Sequence, residues 1–187
     1  DAWIKEATEK RGLLNYRTTA DCLPHLLDKK NVDMLTAHKV FSEAELKSRC
    51  AIMLDNYCKT ILIEANTMVE MARCEIAPAV EAYIQELAKT AALKKSVSDE
   101  VSVVYENNLI KKLSVLTERI FLEANDLETA LLTVDQHDNV VDESAAIRDT
   151  LLMKMNKLRV PCDEAEMFTA KKYWPFPTYG DLLFGVR

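Results

Sequence analysis

The chain has 187 residues, 49% of them hydrophobic and 29% charged, the composition of a folded protein with enough apolar material to bury a real core. Its net charge of −6, from 30 acidic against 24 basic side chains, opposes binding to a nucleic-acid backbone or an anionic membrane surface. No segment approaches the run of about 20 apolar residues that spans a bilayer, so neither nucleic acid nor membrane is an expected partner.

Residues 1 to 12 read as a short helix with Trp3, Ile4 and Ala7 on one side, closed by Arg11-Gly12 in the manner of a C-cap. These first residues are amphipathic and not signal-like, and the chain reads as a piece excised from a longer polypeptide. A polar stretch follows to Thr19. Asp21 then starts a short helix carrying Leu23, Leu26 and Leu27, with Pro24 tolerable in its first turn. The first 40 residues are the least regular part of the pattern.

Ser42 opens a stronger signal. In S-E-A-E the side chain of Glu45 can return a bond to the N–H of the cap residue, and the apolar positions Leu46, Cys50, Leu54, Tyr57, Ile61, Ala65, Met68, Ala72 and Ile76 follow at steps of three and four. The row continues through Ala79, Tyr83 and Leu87, and a second row, Ala51, Cys58, Leu62 and Val69, widens the apolar face. Pro78 crowds the carbonyl of Cys74, which predicts a kink or break near residues 74 to 78. After a turn at Ser96 to Asp99 the next helix carries Tyr105, Leu109, Leu113, Leu116, Ile120, Ala124, Leu127, Leu131 and Val134, a rod of roughly 50 Å. The polar cluster Asp135-Gln136-His137-Asp138-Asn139 ends it. A third long helix starts near Asp142 with Ile147, Leu151, Met155 and Leu158 inward; Pro161 is expected to interrupt it, and one further short helix runs from Asp163 to Lys172. The predicted fold is all-α, an elongated antiparallel bundle of three long helices plus short ones.

No glycine occurs between Gly12 and Gly180, which excludes a Gly-rich phosphate loop, a dinucleotide fingerprint or a nucleophile elbow from that stretch. The five cysteines, Cys22, Cys50, Cys58, Cys74 and Cys162, are odd in number and lack C-x-x-C spacing, so buried free thiols in a reducing cytoplasm are expected. A carboxylate-bridged metal pair needs Glu-x-x-His, and Cys22, Leu35 and Val134 stand three before His25, His38 and His137. Cys22 with His25 is a zinc half-site without a second half. Glu64 and Glu70 fall on the polar side of their helix with Asn66, Thr67 and Arg73. His38, just before a helix start, is placed for local capping.

The C-terminal segment differs in kind. Tyr173, Trp174, Phe176, Tyr179 and Phe184 crowd together, and Pro175 and Pro177 push the residues before them toward extended backbone. With Leu182 and Leu183 they make an extended tail, residues 173 to 187, that needs something to dock on. It can strap its own bundle or contact another domain or subunit.

LRVPCDEAEMFTAKKYWPFPTYGDLLF, residues 158 to 184, resembles the C-terminal end of type III glutamine synthetases, the long-subunit bacterial form, and FSEAELKSRCAIMLDNYCKTILIEANTMVEMARCEIAPAVEAYIQEL, residues 41 to 87, is similar to the helical segment after their catalytic domain. DAWIKEATEKRGLLN is similar to the stretch where that domain hands over. The resemblance implies a parent enzyme that joins glutamate and ammonia with ATP and divalent metal (Mg or Mn), in a ring-shaped homo-oligomer. It implies three parts here: 1–40 as the end of the preceding domain, 41–172 as the helical bundle, and 173–187 as the docking tail. No catalytic, cofactor-binding or metal-binding residue carries over, because those of the family belong to the preceding catalytic domain. That domain and neighbouring subunits are the implied partners. The alternative is a free-standing bundle that binds a partner helix or peptide along its two-sided apolar face; a metal-dependent bundle oxidase is weakened by the missing Glu-x-x-His.

Overall fold

The structure, a computed structural model, describes residues 2–134 and 139–185. Among these the fold is all-α, with no strand. The elements are α1 (Ala2–Lys5), α2 (Thr19–Cys22), α3 (Lys29–Ala37), α4 (Glu43–Met71), α5 (Ala77–Val97), α6 (Val104–Val134), α7 (Val140–Ala146), α8 (Leu152–Phe168) and α9 (Tyr179–Phe184). Of the polar cluster expected at 135–139, residues 135–138, with His137, lie outside the described residues, while Asn139 caps α7 by accepting from Val141 and Asp142 N–H.

Helix starts follow local chemistry. Ser42 and Glu45 form the reciprocal cap, Glu45 N–H reaching Ser42 Oγ at 3.3 Å while Ser42 N–H donates to Glu45 Oε2 at 2.7 Å. Thr18 accepts from Asp21 N–H and starts α2 slightly before the predicted point. The helical run that α1 begins continues as a π turn to Lys10, where Arg11 N–H returns to Glu6 O and Gly12 takes φ 65°, the left-handed value that follows a helix end. Helix α3 was not legible in sequence, because its stop is Lys39 at φ 58° instead of a glycine. His38, expected to cap beside a helix start, instead closes the C-terminus of α3 through its backbone N–H to Met34 O.

The break expected near Pro78 is a π turn, Ala72–Ile76, in which Ala77 N–H bonds back to Ala72 O. This wide turn absorbs the misfit of a proline that has no N–H to donate, and helix continues on both sides. Two further π turns extend α1 at Glu6–Lys10 and join α7 to α8 at Ile147–Leu151. The interruption predicted at Pro161 does not occur, and no separate short helix begins at Asp163. Pro161 sits inside α8 because Leu158, Pro161, Cys162 and Ala165 form one buried stripe, and breaking the helix would expose it.

The chain divides into two compact units, Asp1–Ile63 with Val134–Thr150, and Glu64–Thr133 with Leu151–Arg187. In the second unit the long helices pair antiparallel. Arg73 meets Glu128 through two bonds of 2.7 Å, and further along Lys94 meets Glu106, so the partner number falls as the first rises. The same reversal relates α6 to α8, with Lys112 and Glu164 at 3.0 Å and Asp126 and Lys154 at 2.5 Å. Leu113, Ile120, Leu127 and Val134 form a buried row at strict sevens on α6, and the slot before them is filled by Glu106. Tyr105, expected inward, is 66% exposed, since the seven-residue phase set by that row points its neighbour inward.

In the first unit Arg148 pairs with Asp21 and makes two bonds, of 2.7 and 2.8 Å, to Asp149. The buried residues include Leu46, Cys50, Leu54 and Cys58 of α4 together with Ile147. Cys50, Cys58 and Cys162 are buried, whereas Cys22 and Cys74 are exposed, which corrects the expectation of burial for the last two. The π turn gives its inward positions to Ala72 and Ile76 and so turns Cys74 out. Glu64 and Glu70 lie on the exposed side.

Candidate docking surfaces

The C-terminal segment is built on the end of α8. Thr169 closes that helix, its N–H to Ala165 O at 2.9 Å and its hydroxyl to the same oxygen at 2.8 Å, and Tyr173 N–H returns to Ala170 O at 2.8 Å. This turn lays the Tyr173 ring 5.3 Å from Tyr83, tilted by 36°, with the Lys172 ammonium 5.2 Å from the Tyr173 ring centre. Burial, with a hydrogen bond to Tyr105 as the next cause, raises the pKa of the Tyr83 phenol. Trp174 meets Phe176 edge-on at 6.2 Å and 77°. Tyr173, Trp174 and Phe176 are half-buried, and Pro175 and Pro177 are exposed on the extended stretch between them.

Beyond Pro177 the backbone coils again, so the expectation of an extended tail to the end is corrected for Tyr179–Phe184. Thr178 and Asp181 form a second reciprocal cap: Thr178 N–H donates to Asp181 Oδ2 at 2.9 Å, and Asp181 N–H to Thr178 Oγ1 at 3.3 Å. Lys171 reaches Asp181 Oδ1 at 2.5 Å and, with the bonds from Thr178, holds this carboxyl down at about 2. Gly185 ends the helix where a Cβ would stand 2.2 Å from Asp181 O. Leu182, Leu183 and Phe184 are 68%, 70% and 81% exposed. The cap signal T-Y-G-D was present in the sequence, but the prolines before it dominated the reading.

A second apolar surface, in the first unit, has no counterpart among the residues singled out from sequence as a docking site. It is a groove of about 500 Å³ lined by Leu14, Tyr16, Leu23, Leu26 and Met53, with Cys22 and His25 beside them. Tyr16 stacks on the His25 imidazole at 4.3 Å and 11°. Several polar groups at the groove are bonded within the unit: His25 Nδ1 lies 3.0 Å from Asp28 Oδ2, Asn31 Nδ2 donates to His25 O at 2.7 Å, and Cys50 Sγ donates to Leu23 O at 3.4 Å.

Among the described residues no group of three or more His, Cys, Asp or Glu side chains is placed to hold a metal ion. None of the described helices is long and apolar enough to cross a membrane.

A family model described as the glutamine synthetase C-terminal domain matches residues 1–95. The chain is similar to a glutamine synthetase of Butyrivibrio fibrisolvens, 33% identical over 187 residues, which takes in 100% of this chain and 27% of the relative. It is also similar to the type-3 glutamine synthetase of Dictyostelium discoideum, 28% identical over 184 residues, covering 96% of this chain and 25% of that protein. A glutamine synthetase of Bacteroides fragilis (strain YCH46) is 26% identical over 188 residues, covering 98% of this chain and 26% of the relative. The chain therefore spans about a quarter of the length of the curated relatives it matches.

Proposed function

The chain belongs to the glutamine synthetase C-terminal domain family, and from that premise we propose that it is the non-catalytic helical end of an ATP-dependent glutamate–ammonia ligase, serving structure and assembly. The parent joins glutamate and ammonia, with ATP and divalent metal (Mg or Mn) bound in its preceding part; the described residues here do not fit a metal site. Residues 1–40 hand over from that part, 41–172 form the helical scaffold, and 173–187 dock. The partners are the preceding catalytic domain and neighbouring subunits of a cytoplasmic homo-oligomeric ring.

The observation that carries this reading is where the charges go. Arg73 is spent on Glu128 and Asn125, Lys112 on Glu164, and Lys154 on Asp126, so these groups clamp helix to helix within the second unit. Carboxylates committed in this way orient a scaffold; a reaction centre needs them converging on one reacting atom. The exposed Leu182, Leu183 and Phe184 supply an apolar face for assembly.

Two measurements test it. Glutamine formed by residues 1–187 alone from glutamate, ammonia, ATP and magnesium would overturn the non-catalytic assignment. Removal of 173–187 from the parent is expected to lower its assembled mass, and an unchanged mass would remove the assembly role.

A further inference from the structure

We infer that the groove of the first unit, lined by Leu14, Tyr16, Leu23, Leu26 and Met53, seats an apolar segment of the preceding part of the same parent polypeptide. This rests on the reading of the chain as the C-terminal domain of a larger enzyme, and it names the surface and the partner.

Three observations lead to it. First, the lining is mainly apolar and several of its polar groups are already bonded within the unit. His25 is engaged by Asp28 and Tyr16, the Asn31 amide by the carbonyl of His25, and the carbonyl of Leu23 by the Cys50 thiol. A polar or charged ligand would give up hydration for few hydrogen bonds, whereas an apolar side chain gains by leaving water. Second, the groove's own apolar lining is uncovered, with Leu14 65%, Met53 39% and Tyr16 38% exposed. Leu13, next to Leu14 in sequence, is 56% exposed as well. Third, about three quarters of the length of the relatives lies outside this chain, and the matched family is described as a C-terminal domain, which is what makes a preceding part of the parent the occupant. The lining residues Leu14 to Met53 all lie within the stretch that the family model matches.

The exposed Cys22 beside the groove is a built-in reporter, and the exposed Cys74, in the other unit, is its internal reference. In the full-length parent under native conditions, maleimide alkylation of Cys22 is expected to run at least tenfold slower than that of Cys74. Leu14→Asp is expected to remove most of that difference while Leu14→Met retains it. Equal rates at Cys22 and Cys74 in the unsubstituted parent would overturn the inference.

The occupant is identified separately, by a photo-crosslinking residue in place of Leu14 in oligomers mixed from isotopically light and heavy chains. The expected product joins position 14 to a peptide upstream of this domain in a chain of the same isotope. Products between light and heavy chains would show a neighbouring subunit in the groove and overturn the choice of partner. Glutamine synthesis measured on the same samples separates the two claims: a parent without ligase activity sinks the assignment of the chain, while an active parent with a freely alkylated Cys22 sinks only the docking.

Discussion

Lys94, near the end of α5, reaches across to Glu106 in the first turn of α6, and Glu106 occupies the leading slot of the seven-residue row whose later members are Leu113, Ile120, Leu127 and Val134. One carboxylate oxygen is bonded to Lys94; the other, Oε2, is buried without a hydrogen-bond partner. Such a pair is expensive to break from one side, because the remaining charge stays in a dry site. Lys94→Met is therefore expected to lower Tm by several degrees, read by circular dichroism. The double change Lys94→Met with Glu106→Leu should recover most of the loss by completing the apolar row. A Lys94→Met protein that melts with the parent protein would contradict this account.

Acid should loosen the molecule in a defined order. The carboxyls of Glu106 and Glu128 sit below their ordinary pKa because Lys94 and Arg73 respectively bond to them, and that of Asp181 is held at about 2 by Lys171 and Thr178. A folded-state pKa below the unfolded one means that the folded protein binds fewer protons. Its contribution is complete above the ordinary carboxylate range, about 4, and is lost as pH falls through the folded value. Stability should be level from pH 7 to about 5 and fall steeply below about 4. Lys171→Ala should move the loss of the α9 cap to higher pH, seen as earlier amide exchange at Asp181 and Leu182. An unchanged exchange profile would argue against the latch.

Burial separates two leucines that sequence treats alike. Leu54 is fully buried in α4, and Leu54→Ala should cost about 2–5 kcal/mol in denaturant unfolding. Leu183, 70% exposed, should tolerate Ala within about 0.5 kcal/mol in the same assay. In the parent, Leu183→Asp is expected to lower the assembled mass, as a docking face requires, and light scattering reads the difference.

The cap at Ser42 offers a local test. Ser42→Ala removes the acceptor for Glu45 N–H and should cost about 1 kcal/mol, while Ser42→Asp should retain most of the stability. Equal urea midpoints for the Ser and Ala proteins would show that the cap contributes nothing.

The thiols should sort by exposure. Burial pushes Cys58 and Cys162 up to about 11 and raises Cys50 as well, so these three should react with a neutral disulfide reagent only on unfolding. Cys74 should react in the native state. Rapid native labelling of Cys58 would mean that its helix opens readily.

Most of the helical layout could be read from local signals. The Ser42 cap, the left-handed Gly12 and the misfit around Pro78 act within a single turn, so neighbouring residues suffice to predict them. The same holds for the long rows on α4 and α6, whose spacing is a property of the helix itself. Where sequence went astray, two local signals disagreed or none was present: prolines hid the T-Y-G-D cap of α9, and α3 stops at Lys39 with no glycine to mark it.

The amino-acid order alone therefore determined an all-α chain without phosphate-binding glycine loops, the positions of its main caps, and the family it belongs to. Only tertiary structure decided which face turns inward at the start of α6, why Pro161 rests inside an unbroken helix, why Cys74 points out, and that residues 14 to 53 form an apolar groove. The physical reason is reach: caps and periodicity are settled by bonds within a few residues, whereas burial is settled by whichever distant helix removes a side chain from water.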